Sequence, residues 1–448
     1  MNLSRMLRAR AESGEPVRVG LIGAGKFGSM FLAQVRTTVG MHLVGVADLS
    51  AERARATLLR AGWQTKQIGA ASFDEAYELG TTCLSEDSAA LIESSSIEVI
   101  VEATGNPEAG IRHALACIRA GKHVVMVNVE ADALAGPLLA RRAREAGVVY
   151  SLAYGDQPAL ICELVDWARA CGFEVVCAGK GTKYLPAYHQ STPDTVWKHF
   201  GWSDEEVARS GANAKMFNSF IDGTKSAIEM AAVANATGLL PPSDGLLFPP
   251  AGAEELQDVL RPSGDGGVLE RSGTVEVVAS LQRDGSIVER DLRWGVYVVF
   301  RGDSDYVREC FQQYGLITDA SGHYAALYRP YHLIGLEVGI SVASAALRGE
   351  PTGAPISWLA DVVATAKRDL KAGERLDGEG GYCVWGKLIS AERTLAEHAL
   401  PIGLAHNVTL TRDVKAGSIV TWADTAERPG DDAIHFRREM ESQFRPFA

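Results

Sequence analysis

Three glycines and one aspartate mark the first place where this chain could do chemistry. Gly23, Gly25 and Gly28 stand in VGLIGAGKFG with the spacing G-x-G-x-x-G. The run follows an apolar stretch, VRVGLIG, and opens a helix-like one, SMFLAQV, which is the context that gives such a pattern meaning. Gly23 permits a tight turn, Gly25 lets a backbone approach a pyrophosphate, and Gly28 lets helix and strand pack closely. The helix start, with Ala24, Lys26 and Phe27, then offers unpaired N–H groups to phosphate. Asp48 ends the second apolar strand about 20 residues further on, where a carboxylate accepts hydrogen bonds from ribose hydroxyls and favours NAD. Arg53 and Arg55 follow it and leave NADP open. Thr104 and Gly105, after the third strand, are expected beside the nicotinamide ribose. Asn128 and Glu130, after the fourth, are expected near the nicotinamide. Glu130 reads equally well as an acidic residue at a helix's positive end.

A second constellation lies later in the chain. Asp222, Lys225 and Glu229 in FIDGTKSAIEM fall on one helix face. The flanking residues are small and apolar, so the helix reads as buried and its charges need partners. A paired lysine can give a proton to a carbonyl as hydride arrives at carbon. Lys225 is therefore the candidate acid, oriented by Asp222 or Glu229. Lys180 and Lys183 in AGKGTKY read as a basic turn suited to a phosphate or carboxylate on a substrate. Arg329 and His332 in LYRPYHL, and Asp156 in AYGDQPA, complete the substrate-side candidates, with a guanidinium fork fitting anionic oxygens.

The elements that must position these residues are legible in outline. From Val17 to Tyr150, buried apolar strands (VRVGLIG, HLVGVAD, IEVIVEAT, KHVVMVN, VVYSLAY) alternate with helical stretches. That order implies an α/β fold with a Rossmann doubly wound parallel sheet. The middle, with GFEVVCAGKG, VEVVAS, GSIVERDLRW and VYVVF, reads as an α+β domain whose antiparallel strands could support a homodimer or homotetramer. The last hundred residues repeat a pattern, DLKAGERL and DVKAGSIV, which suggests a small pseudo-symmetric β-rich domain with a turn at each Lys-Ala-Gly. The expected domains are 1–155, completed by 327–350, then 156–326, then 355–448.

Bulk properties narrow the classes. The 448 residues exceed one ordinary core, and 46% hydrophobic with 22% charged residues is globular composition. A net charge of −12 argues against nucleic acid as a partner. No apolar run reaches the length of a membrane span, and the N-terminus lacks an apolar signal core. Seven scattered cysteines without a C-x-x-C pair point to reduced thiols and a cytoplasmic protein. Neither zinc-finger nor H-E-x-x-H spacing occurs, so a metal site built on histidine or cysteine is not expected.

Taken together, VRVGLIGAGKFG, HVVMVNVEAD, YGDQP, GKG, FIDGTKSAIEMAAVANATGL and LYRPYHL resemble the homoserine-dehydrogenase-like oxidoreductases that carry a C-terminal SAF domain. The resemblance covers nearly the whole chain. It implies a nicotinamide-dependent dehydrogenase or reductase acting on a small hydroxy-carbonyl substrate, with the cofactor facing a cleft beside the α+β domain. One branch of that family comprises the 1-deoxy-D-xylulose 5-phosphate reductoisomerase-like enzymes, for which a divalent metal can assist a carbon-skeleton rearrangement. No metal ligands are identified in the sequence. Val129 stands where homoserine dehydrogenases carry a substrate-binding lysine, which argues against homoserine. An amino-acid dehydrogenase and a non-catalytic dinucleotide-binding sensor remain the alternatives.

Overall fold

The computed structural model describes residues 2–210, 212–428 and 430–444. The chain divides into two compact units, Met1–Leu160 with His332–Ile356, and Ile161–Tyr331 with Ser357–Ala448.

The first unit is built on seven parallel strands: β1 (Val17–Ile22), β2 (Met41–Ala47), β3 (Ile68–Ala70), β4 (Thr82–Ser85), β5 (Val99–Glu102), β6 (His123–Met126) and β7 (Tyr150–Leu152). Their spatial order is β3-β4-β2-β1-β5-β6-β7. The central strands β1 and β5 are the continuous apolar runs of the sequence, because a parallel sheet is covered on both faces and has no solvent side to alternate toward. Strands β3 and β4 escape sequence reading, since three or four residues are too few to show a period. The returning helix Gly339–Arg348 joins this core, with Val338, Val342 and Ala343 packed among Leu21, Phe31 and Leu32.

The second unit holds β8 (Glu174–Thr182), β9 (Thr274–Ala279), β10 (Val296–Arg301) and β11 (Tyr324–Arg329) in the order β11-β10-β8-β9. Its sheet is mixed: β8 runs parallel to β9 and antiparallel to β10. GSIVERDLRW, expected as a strand, is loop with isolated bridges; its charged residues have no second apolar face to bury. Helix Thr224–Thr237 is buried nearly all round and packs on β9 and on two strands from the chain's end, β12 (Ala360–Ala366) and β13 (Val384–Ser390). Where sequence reading separates 156–326 from 355–448, these contacts place both in one unit.

The internal repeat has a three-dimensional counterpart. Leu370 and Val414 exchange backbone hydrogen bonds of 2.8 and 3.0 Å. Lys371 Nζ donates to Asp413 at 2.7 Å, and Lys415 Nζ donates to Asp369 at 2.8 Å. Each aspartate also accepts the N–H of the alanine beside the opposite lysine, both at 3.0 Å. The two copies thus bind each other as a local two-fold pair.

Candidate active site

The glycine turn behaves as its spacing predicts. At Gly23 φ is +95°, and an added Cβ would lie 2.7 Å from the Ala103 carbonyl oxygen. A Cβ on Gly28 would lie 2.3 Å from the Gly23 oxygen. Both glycines are demanded by the fold itself. Gly25 is different. Its φ of −71° suits any residue, and a Cβ there would meet nothing within 4 Å. Packing does not explain this glycine, whereas a ligand backbone or phosphate seated on the turn does. The cradle fits a dinucleotide. Ala24 is buried, Lys26 opens the helix Lys26–Val35 on its exposed side, and Phe27 packs against the core.

Asp48 lies just past β2 and is nearly covered. One oxygen accepts the Ala24 N–H at 2.8 Å, so the carboxylate pins the turn. The other accepts from Ser50 N at 3.2 Å and from the Arg53 guanidinium at 2.9 Å. Arg53 is itself well exposed, so the same pair could turn toward ribose hydroxyls or toward a 2′-phosphate.

The loop after β5 is held by polar side chains. Thr104, Gly105 and Asn106 are exposed, and Gly105 has φ +69°. Asn128 is buried; its Oδ1 caps helix Val129–Glu145 through Ala131 N at 3.1 Å. Its Nδ2 donates to Asn106 O at 2.8 Å and Thr104 Oγ1 at 3.3 Å. Glu130, in the first turn of that helix, is half-buried. Within the same helix burial pushes the Asp132 carboxyl up to about 7, partly offset by the Tyr150 hydroxyl, which donates to it at 2.8 Å.

In the second unit the expected single helix face is divided: Lys225 and Glu229 lie on helix Thr224–Thr237, Asp222 ends the preceding helix Ala214–Ile221, and the carboxylates take other partners. Asp222 Oδ1 accepts Thr224 N at 2.9 Å, capping helix Thr224–Thr237. Its Oδ2 accepts from Lys367 Nζ at 2.7 Å, and both side chains are essentially sealed from solvent. Lys367 also donates to the carbonyls of Ser191 and Gly381 at 2.6 and 2.8 Å. Glu229 pairs with Lys180. Lys180 is thus not on a basic turn: β8 continues through it, and it is buried. A strand is favoured there because the AGKG segment is sandwiched between β9 and β10, with Gly179 and Gly181 leaving room for neighbouring backbone. Lys225 is half-buried at the second position of the helix.

Lys183, just past β8, is half-buried and donates to the His199 carbonyl at 2.5 Å. Burial and the nearby Arg293 guanidinium hold its pKa below the usual lysine range. Arg293 is a cation sequence reading passed over, and it stacks on Trp294 at 4.7 Å. Arg329 ends β11 in the second unit, with its guanidinium 5.1 Å from the Tyr331 ring. His332 and Asp156 belong to the first unit; Asp156 is buried and accepts Gln157 N at 2.9 Å. Among the described residues no group of three or more His, Cys, Asp or Glu is placed to hold a metal ion.

The comparisons with known proteins follow this division. Residues 17–127 match the family profile described as the oxidoreductase family with an NAD-binding Rossmann fold (GFO/IDH/MocA). Residues 155–338 match the catalytic domain of oxidoreductase DRL. The two matches make the chain an NAD(P)-dependent oxidoreductase whose residues 17–127 form a Rossmann domain of the GFO/IDH/MocA type. No curated protein sequence matches it. Among solved structures it is similar to a probable dehydrogenase from Thermotoga maritima, at 14% identity and TM-score 0.37, over 75% of this chain and 90% of that one. It is similar also to an NAD binding oxidoreductase from Klebsiella pneumoniae, at 17% identity and TM-score 0.32, over 71% and 67% of the two chains. A third is the dipicolinate-bound dihydrodipicolinate reductase of Paenisporosarcina, at 14% identity and TM-score 0.33, over 75% and 97%. No helix among the described residues is long and apolar enough to cross a membrane.

Proposed function

We propose that this oxidoreductase is an NAD-preferring dehydrogenase or reductase of a small hydroxy-carbonyl compound bearing an anionic group. The observation that carries the reading is Gly25, a glycine the fold does not need, on a turn pinned by Asp48, the carboxylate assigned to the ribose hydroxyls. The turn residues 23–28 would hold the pyrophosphate, and Thr104, Gly105, Asn128 and Glu130 the nicotinamide end. When bound, the cofactor supplies or accepts the hydride. Lys225 is assigned the proton at the substrate oxygen, as a half-buried lysine in the first turn of helix Thr224–Thr237. Lys183 and Arg329 are assigned the anionic group; Lys183 stands close to Arg293, and its pKa is lowered first by burial and then by that guanidinium. The finer reading, a reductoisomerase-like substrate and a SAF-like C-terminal domain, rests on the motif resemblance and on the paired repeat. Seven scattered cysteines without a C-x-x-C pair support a cytoplasmic setting.

The deciding experiment offers purified protein NADH and NADPH with phosphorylated keto-sugars, hydroxy-aldehydes and aspartate semialdehyde. NADH oxidation with one of the phosphorylated compounds is expected, falling at least about a hundredfold in Lys225→Met while NADH affinity is kept. Turnover with NADPH alone would overturn the Asp48 assignment. Cofactor binding without any turnover would favour the sensor alternative.

A further inference from the structure

The last residue of β5 is an oddity that dinucleotide binding alone does not require. Glu102 ends a strand of three aliphatic residues at the centre of the sheet, between β1 and β6, and is fully buried. A carboxyl group there is expensive unless it is fully hydrogen-bonded. It is only half satisfied: among the described residues its Oε2 has no hydrogen-bond partner. Its Oε1 takes two contacts. Thr104 Oγ1 donates to it at 2.6 Å, and His113 Nδ1 lies 3.1 Å away. The other nitrogen of His113 is 3.1 Å from Ser88 Oγ. His113 is buried on helix Pro107–Arg119, which Asn106 caps through Ala109 N at 2.8 Å.

The consequence is directional. A threonine hydroxyl has one donor and two acceptor sites. With its donor committed to Glu102, Thr104 Oγ1 turns its lone pairs toward Asn106 N at 3.4 Å and Asn128 Nδ2 at 3.3 Å. Asn128 in turn holds the Asn106 carbonyl. The exposed loop 104–106 is therefore held from beneath by a hydrogen-bonded chain, Ser88–His113–Glu102–Thr104, whose two middle members are buried. We propose that Glu102 and His113 are positioning residues that preset this loop for the nicotinamide-ribose half of the cofactor, without touching it. The proposal rests on the dinucleotide reading above. The glycine turn and Asp48, which would hold the diphosphate and adenosine half, share none of these hydrogen bonds.

The test is calorimetric titration of ADP, ADP-ribose and NADH into wild type, Glu102→Gln, Thr104→Val and Thr104→Ser, with melting curves for each. The expected result is unchanged ADP affinity throughout. ADP-ribose and NADH should weaken about tenfold in Glu102→Gln and Thr104→Val, the loss of roughly one well-placed interaction, and recover to near wild type in Thr104→Ser. Thr104→Val keeps the side chain's shape, so it carries the test should Glu102→Gln fold poorly. Equal affinities in every variant, or parallel losses for all three ligands, would overturn the relay while leaving the dinucleotide reading intact. Wild-type protein that binds none of the three would overturn both.

Discussion

The glycine turn of the first unit and the charged helix of the second are both dense in candidate residues, yet they are built by opposite means. At the turn, each residue answers to neighbours a few positions away or to an adjacent strand end. Gly28 must clear Gly23, and Asp48 holds Ala24. At helix Thr224–Thr237, each buried carboxylate answers to a distant lysine: Glu229 to Lys180, 49 residues away, and Asp222 to Lys367, 145 away. The turn can thus be altered at Gly25 with little effect on folding, though not at Gly23 or Gly28. The helix cannot lose a charge without exposing the fold to an unpaired ion. It also follows that the C-terminal β-rich region is no detachable module, since it supplies the counter-ion beneath the residue that caps the helix carrying Lys225.

The largest effect that would break this contrast is at Lys367. Lys367→Met leaves Asp222 buried without its cation, and stability should fall by about 3–5 kcal/mol. Asp222→Asn combined with Lys367→Met should recover most of that in denaturant titration, because two neutral groups replace the pair. A single variant as stable as wild type would show that the pair contributes nothing. Next comes Gly25→Val, expected to weaken NADH binding about a hundredfold with an unchanged Tm. Gly28→Ala should instead lower Tm through its 2.3 Å backbone clash. If both variants melt alike, the division between a packing glycine and a ligand glycine fails.

A smaller effect concerns pH. Each unit hides one carboxylate raised to about 7, chiefly by burial: Asp132 in the first and Glu276 in the second. Glu276 is so placed despite accepting the N–H groups of Leu247, Phe248 and Val277. Both native states favour the protonated form. Their contribution is therefore complete below the unfolded value near 4 and is lost as pH rises toward and through about 7. Asp132→Asn, which still accepts the Tyr150 hydroxyl, should flatten the decline in Tm between pH 5 and pH 8, and Glu276→Gln should do so independently. The smallest effect is expected at the repeat, where the Lys371–Asp413 and Lys415–Asp369 pairs are exposed. Asp413→Ala should shift Tm by about 2 °C or less, since surface ion pairs contribute little.

Much of the first unit was legible because its signals are local. The apolar runs of β1, β2, β5 and β6 and the glycine spacing each betray themselves within a dozen residues. The DLKAG and DVKAG copies are visible in the same way, although their reciprocal pairing is not. Glu102 carried a faint signal, a charged residue closing the apolar run IEVIVE, but its link to His113 emerges only when helix Pro107–Arg119 lies over the strand. Lys180 illustrates the reverse error: glycines on both sides read as a turn, whereas Gly179 and Gly181 let the backbones of Glu276 and Leu292 come close.

Local sequence was enough for the parallel α/β domain, the place of the glycine turn and the helix carrying Lys225 and Glu229, but not for Asp222, which ends the preceding helix. These follow from backbone conformation and periodicity, which act between near neighbours. Three-dimensional packing settles which cation each buried carboxylate meets, that the end of the chain completes the unit holding Lys225, and that a buried glutamate underlies the loop after β5. Desolvation and Coulomb energy depend on distance in space, and that distance has no signature along the chain.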